Sequence, residues 1–265
     1  YAKDIAEMDM PLPPFAEQNR IAAILDKAEE IRRKREQAIE KLDQLAQSVF
    51  VEMFGDPVKN TKNWDQVTVG DFVKGFESGK SFLADSDSEA AAEFRILKIS
   101  AVTSLEYDPR QSKPVPANYK PKASHFVKTG DLLFSRANTT ELIGATAYVD
   151  RTPPNILLPD KLWRFIWHDV TRAEPLYVRQ LFRQDQFRYV LRKLATGSSG
   201  SMKNISQSKV LSISVGLPPI DLQTQFVGLI QKIEINKKIQ LESLYTAKRL
   251  ISTLQHQAFT KGFDT

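Results

Sequence analysis

The sequence predicts an α+β protein: a mixed α/β module with many loops, plus two long helices packed as an antiparallel, coiled-coil-like pair. Three observations predict it. A segment opening at Met10 returns at Val215 with a constant offset of 205 positions. Leu12 matches Leu217, Pro13-Pro14 match Pro218-Pro219, Gln18 matches Gln223, and Lys27, Glu29 and Phe54 match Lys232, Glu234 and Phe259. Each copy contains a long run with apolar residues at heptad spacing. Between the copies, short apolar segments alternate with Pro- and Gly-rich connections. A repeated unit around an unrelated insert implies a symmetric frame holding one inserted module.

Taken in order, residues 1–14 read as the last strand of a preceding module and its diproline turn. Residues 15–56 form the first long helix, 57–214 the inserted module and 215–265 the second long helix. The chain has no initiator Met, so it is expected to be a fragment or a truncated form of something longer. In each copy a short apolar segment (Ile5 to Met10; Val210 to Val215) leads into Leu-Pro-Pro, and proline holds its predecessor in an extended conformation. From Glu17 to Met53 no Gly or Pro occurs. At 1.5 Å per residue that run spans roughly 55 Å as a helix. Its seam is expected at Ile21, Ala28, Leu42 and Val49 in one row, with Ile24, Ile31, Ala38 and Leu45 in the other. The second copy offers Phe226, Ile230, Ile233, Leu244, Ala247, Ile251, Leu254 and Ala258, interrupted by Lys237 and Gln240. The first copy is interrupted near Arg32 to Arg35. A stripe this narrow and polar at mid-length does not bury itself alone. The two helices are therefore expected to pair through Ile21, Ile24, Ile31, Leu42, Leu45, Val49, Ile230, Ile233, Leu244, Ile251 and Leu254. Two surface helices packing separately on a globular body are the other reading.

In the insert, "FGDPVKNTKNWDQVTVGDF" (Phe54 to Phe72) supplies a Gly-Asp-Pro helix stop and a strand start at Val67 and Val69. Strands are expected over Phe94 to Ile99, Asp131 to Ser135, Ala145 to Val149 and Leu162 to Trp167. One amphipathic helix is expected from Pro175 to Leu194. It would turn Leu181, Phe182, Val190 and Leu194 inward and show Arg179, Arg183, Arg188 and Arg192 outward. It ends before the loop "TGSSGSMKN" (Thr196 to Asn204).

Composition narrows the function. The 265 residues carry a net charge of +5, contain no cysteine and no apolar run long enough to span a membrane, and open on no secretory signal. This excludes disulfides and thiolate metal sites and fits a cytoplasmic protein. His125, His168 and His256 lie too far apart for short-range metal spacing, so no metal and no cofactor are expected. From Pro57 to Ser214 there are 23 Lys and Arg against 16 Asp and Glu; elsewhere there are 14 against 16. The basic excess thus sits wholly in the insert, as contact with a polyanion requires.

Catalytic motifs fail on inspection. "GFESGKS" (Gly75 to Ser81) leaves three residues where a phosphate-binding loop needs four, and Lys74 stands where its first Gly belongs. "TPPN" (Thr152 to Asn155) lacks both ends of an adenine-methylation motif. What remains is recognition. Arg and Lys pair with guanine, Asn and Gln with adenine, and Ser and Thr with either, while cations hold phosphates. Four loops mix these types: "ESGKS" (Glu77 to Ser81), "SRANTTE" (Ser135 to Glu141), "PDKLWR" (Pro159 to Arg164) and "TGSSGSMKN". The candidate DNA-binding residues are Lys80, Ser81, Arg136, Asn138, Thr139, Lys161, Ser198, Ser199, Ser201, Lys203 and Asn204. No catalytic residue is expected.

These pieces resemble the specificity subunit of type I restriction-modification enzymes. The resemblance is carried by "LPPFAEQNRIAAIL" (Leu12 to Leu25), its echo "LPPIDLQTQFVGLI" (Leu217 to Ile230) and the helix exit "MFGDP…W…VTVGDF". It is carried too by "VKTGDLLFSRAN" (Val127 to Asn138) and "ATGSSGSMKNISQSKVLSISVGLPP" (Ala195 to Pro219). It implies the end of one target recognition domain, a central conserved helix, a second complete recognition domain and a distal conserved helix. A complete recognition domain occurs once, so one half of a bipartite double-stranded DNA target would be read, in the major groove. The helical pair would act as a ruler for half-site spacing and dock methylation (M) subunits, with restriction (R) subunits in the full complex and catalysis in those partners. Self-association through the helices stays open. The alternative is a coiled-coil interaction scaffold that does not bind DNA.

Overall fold

A computed structural model describes residues 14–82, 93–168, 172–197 and 202–260. Helix α1 (Phe15–Phe54) is followed by strands β1 (Asp65–Thr68), β2 (Val73–Glu77), β3 (Arg95–Leu97) and β4 (Ser112–Pro114). Strands β5 (Leu132–Ser135), β6 (Ala137–Asn138), β7 (Thr146–Tyr148), β8 (Ile156–Leu157) and β9 (Leu162–Trp167) come next. Helices α2 (Pro175–Arg183) and α3 (Asp185–Leu194), strand β10 (Lys203–Asn204), helix α4 (Gln207–Leu211), strand β11 (Ser214–Leu217) and helix α5 (Ile220–Thr260) complete the order. The chain divides into two compact units, residues 1–48 with 229–265 and residues 49–228.

In the helical unit, α1 and α5 pair antiparallel. Arg35 Nη1 donates to Gln240 Oε1 at 2.6 Å and Lys237 Nζ meets Asp43 Oδ1 at 2.6 Å. Lys248 Nζ meets Glu36 Oε1 at 3.1 Å, so rising numbers on one helix face falling numbers on the other. The half-buried rows of α1 are Ile21, Ala28, Arg35, Leu42 and Val49, and Leu25, Arg32, Ile39, Ala46 and Met53, with Ala46 fully buried. The first row is the expected one. The second runs one residue later than expected, leaving Ile31 42% and Leu45 46% exposed while Ile24 and Ala38 stay half-buried. Steps of three and of four both fit a heptad, and which side of the first row is covered depends on where the partner lies. On α5 the covered rows are Ile230, Lys237, Leu244 and Ile251, and Ile233, Gln240, Ala247 and Leu254. Both rows reproduce those of α1 at the offset of 205 positions, polar middle included.

In the second unit, α1 stops because Gly55 adopts φ +72° and donates its N–H to Val51 O at 2.8 Å. A Cβ there would lie 2.3 Å from Thr61 Oγ1, so only glycine fits this left-handed cap. The Asp56 carboxylate then accepts the N–H groups of Val58 and Lys59, turning the chain away. Strand β1 pairs antiparallel with β11, Asp65 opposite Leu217 and Thr68 opposite Ser214. The segment expected to be a strand from Val210 divides instead: Val210 lies in α4, which Ser206 caps, and the strand begins at Ser214. Its counterpart at Ile5 to Met10, and the whole of residues 1–13, lie outside the described residues.

The centre is a four-stranded antiparallel sheet in the order β2-β9-β5-β7, beside a three-stranded sheet β4-β3-β8. Alternation sorts the two faces. Phe76, Phe134 and Phe165 gather on one face with Trp163, and Phe182 of α2 closes on Phe134 and Phe165 at 5.9 and 5.2 Å between ring centroids. Leu133, Leu162, Ala145 and Ala147 turn to the other face, against Leu97, Val102 and Ile156. Each fully buried ring or aliphatic chain contributes about 1.5–3 kcal/mol. Beside the sheet, Phe50, Phe54, Tyr177 and Phe226 form a second aromatic group with centroids 5.0–6.3 Å apart. The strand expected over Phe94 to Ile99 is shorter, because Ile99–Ala101 winds into a 3-10 turn.

The single helix expected from Pro175 to Leu194 is two helices, broken at Gln184, whose backbone is extended (φ −64°, ψ 137°). The break lets α2 pack on the sheet through Phe182 and α3 fold back against α2, Phe187 meeting Phe182 at 4.4 Å between centroids, so Arg179 and Arg188 are covered rather than solvated. Arg179 and Arg188 are 3% and 8% exposed. Arg188 Nη2 donates to the carbonyls of Glu141 and Ile143 at 2.6 and 3.3 Å, and Arg183 Nη2 donates to Leu105 O. Spacing at i, i+4 told correctly that these side chains share a face. It did not tell that loops cover that face.

Candidate nucleic-acid interface

Strand register places three of the four basic loops together. In the β2–β9 pair Glu77 faces Arg164, and in the β5–β9 pair Ser135 faces Leu162. The end of β2, the end of β5 and the start of β9 therefore meet at one edge of the sheet. The segments leaving it, 78–82, 136–141 and 158–161, must be neighbours. The fourth loop joins through β6 and β10, which pair Asn138 with Lys203 and Ala137 with Asn204.

Hydrogen bonds stitch these segments. Gly79 N donates to Pro159 O at 3.1 Å, and Ser81 Oγ donates to Asp160 Oδ1. Arg136 N donates to Lys161 O at 3.1 Å, Arg136 Nε to Asp160 O at 2.8 Å, and Ile205 N to Arg136 O at 3.1 Å. Arg136 also lies 5.9 Å from the Trp163 ring centroid, and Lys80 lies 5.8 Å from that of Tyr119. The fourth loop closes on itself: Thr196 and Asn204 exchange backbone bonds at 2.8 Å, and Lys203 Nζ donates to Gly197 O at 2.7 Å.

The candidate residues differ in what they leave free. Lys80, Ser81 and Thr139 are exposed; Arg136, Lys161, Lys203 and Asn204 are half-buried. Asn138 is buried, with Nδ2 donating to Ser135 Oγ at 3.3 Å and Oδ1 accepting Thr139 N at 2.9 Å. Its amide shapes the turn after β5. Ser198, Ser199 and Ser201 lie outside the described residues. Arg164, the last residue of a loop taken as a reader, is buried and holds the others in place. Its guanidinium donates to Glu77, to Asp131 at 3.2 Å, and to the carbonyls of Ser124 and Phe126. Burial opposes its charge, yet Glu77 and Asp131 outweigh that and raise its pKa.

Sequence reasoning missed the groups around this edge. Phe82, Phe94, Tyr119 and Phe126 pack against Ile96, Val115 and Leu157, and Lys113 Nζ donates to Phe82 O. His125 is buried, with Nδ1 2.7 Å from the Tyr119 hydroxyl. Burial, then the charges of Lys122 and Lys80, hold its pKa below the usual histidine value; Arg164 adds to this and Glu77 opposes it. No spacing in the sequence joins Tyr119 or Lys113 to Lys80, because the sheet alone brings them near. Among the described residues no group of three or more His, Asp or Glu could hold a metal ion. Nor is any helix among them long and apolar enough to cross a membrane.

No protein-family model matches the sequence. Over 97% of its length the chain is 26% identical to the type I restriction enzyme EcoKI specificity subunit of Escherichia coli (strain K12), of which it spans 57%. It is 26% identical over 171 residues to the EcoEI specificity subunit of Escherichia coli, covering 63% of this chain and 28% of that protein. In three dimensions 94% of it superposes on 62% of the type I restriction-modification S subunit from M. genitalium, with a TM-score of 0.58 at 13% identity.

Proposed function

From a chain whose curated relatives are type I restriction enzyme specificity subunits, we propose a sequence-specific DNA-binding subunit without catalytic activity of its own. It reads one half of a bipartite target through the loops at the β2-β9-β5 edge. The helical pair docks methylation subunits and sets half-site spacing, and cleavage and methyl transfer belong to partner subunits. One observation carries the reading: strand register gathers Lys80, Arg136 and Lys161 at one end of the four-stranded sheet, and the β6–β10 pair brings Lys203, from a fourth segment, up to Asn138. Cations so gathered hold phosphates, and the polar side chains among them meet base edges.

The test is binding of the full chain to a duplex pool with a randomised stretch, followed by sequencing of what is retained. One enriched short motif is expected. Lys80→Ala and Lys203→Ala should each weaken binding to all sequences and lower the slope of log affinity against log salt by about 0.9. A pool returned without enrichment, with capture of protein partners by the helices alone, would favour the scaffold reading.

A further inference from the structure

The candidate DNA edge carries one acid that none of the readings above uses. Asp160 stands where three segments meet. Ser81 Oγ, from the segment after β2, donates to its carboxylate. Arg136, from the segment after β5, donates Nε to its backbone carbonyl at 2.8 Å and brings Nη2 to 3.8 Å from its Oδ2. The Arg136 and Asp160 side chains are 30% and 36% exposed, so both reach solvent at the face DNA would occupy. The other acids near this edge are differently engaged: Glu77 is held by Arg164, and Glu141 meets Arg192 at 3.3 Å.

We infer that Asp160 is a specificity-determining residue: its carboxylate occupies Arg136 and Ser81 in the free protein and withholds them from indiscriminate phosphate contact. The argument is electrostatic. A DNA phosphate offers Arg136 the same kind of anionic oxygen that Asp160 does, so a phosphate bound there competes with the carboxylate for the guanidinium and lies beside it. Like charges so placed are unfavourable. A base edge can repay that loss, because a carboxylate accepts from the cytosine amino group and a freed guanidinium donates to guanine. The device therefore weakens contact with every sequence and weakens it least for one, which is how a repulsive element yields selectivity. The two bonds that tie Ser81 and Arg136 to Asp160 also fix the spacing of their segments before DNA arrives.

The inference rests on the DNA-reading assignment, and its test separates the two. The full chain, Asp160→Asn and Asp160→Glu are each bound to the randomised duplex pool and to one fixed duplex of arbitrary sequence across a salt series. Asn keeps the shape and removes the charge. For Asp160→Asn the salt slope on the arbitrary duplex should steepen by about 0.9, the value of one added phosphate contact, and affinity at low salt should rise several-fold. Its enriched motif should lose definition. Asp160→Glu should keep the wild-type slope, and Arg136→Gln added to Asp160→Asn should abolish the extra slope. Should Asp160→Asn fold poorly by circular dichroism, Asp160→Ser takes its place with the same expectation. A wild-type motif reproduced by the charge-free variants at an unchanged slope overturns this inference alone. A wild-type chain that enriches nothing overturns the DNA-reading assignment and the role of Asp160 with it.

Discussion

Gly79 shows how little room one position leaves. A Cβ on it would sit 1.7 Å from the carbonyl oxygen of Leu158, which is backbone and cannot swing aside. Gly79→Ala should therefore force the 78–82 segment off the β9 edge and cost about 1–3 kcal/mol in urea unfolding. It should weaken DNA binding as Lys80→Ala does, although no charge is lost; unchanged stability would refute the close approach. His125 gives a prediction in pH. Its pKa is lowered in the folded chain, so below the unfolded value of about 6.5 the unfolded state binds the proton first. Stability is full above that value and falls as pH drops from it toward the folded value, by at most about 1.4 kcal/mol per pH unit for one proton. His125→Gln should flatten that limb of the thermal-midpoint curve, and a limb unaltered by it would assign the slope to another group. The sequence offered neither effect. A glycine in "ESGKS" reads as loop chemistry, and a lone histidine reads as structural or surface, until the sheet sets Leu158 and Tyr119 beside them.

Among the elements, the long helices were the most legible. Heptad spacing persists for many turns, so their existence, their pairing and the polar interruption at Arg32, Arg35, Lys237 and Gln240 were all visible in the chain. One seam row fell a residue away, because a heptad fixes the period and not which flank the partner covers. Arg35 and Gln240 are repeat mates and touch each other, as equivalent positions do where a local twofold relation crosses two antiparallel helices. This polar layer resembles the residues that fix register at a cost in stability. Arg35→Leu with Gln240→Leu should therefore keep or raise the thermal midpoint of the helical unit while broadening the association states seen by light scattering. Loss of folding in the double variant would mean that the layer stabilises rather than specifies. The short strands were less legible than the helices. Leu162–Trp167 emerges as expected, whereas the expected arginine face of α2 and α3 is roofed by the Leu105 and Glu141 segments, which no local periodicity anticipates.

For the whole molecule, charge was readable before structure was. The excess of Lys and Arg over Asp and Glu lies within residues 57–214; three of its cations flank one end of the central sheet, and a fourth, Lys203, joins them through the β6–β10 pair. With Arg136 held by Asp160, three phosphate contacts from Lys80, Lys161 and Lys203 would give a slope near −2.7, so affinity for a duplex of arbitrary sequence should fall about 40-fold between 50 and 200 mM salt. A flat salt response would place the polyanion contact elsewhere. What the sequence could not supply is adjacency: Ser81, Arg136 and Asp160 are far apart in the chain and meet only through the order β2-β9-β5.

Strands β1 and β11 lie side by side, with Asp65 against Leu217, and Gly216 N reaches Pro57 O at 2.9 Å. The polypeptide thus departs from the duplicated frame and rejoins it at adjoining points. Everything between is a cassette whose far loops can change length without stretching this hem, while Tyr177 keeps it seated among Phe50, Phe54 and Phe226. On the proposed function, recombination at that hem would exchange one reader for another in a single event, so novelty in recognition need not await the slow accumulation of point changes.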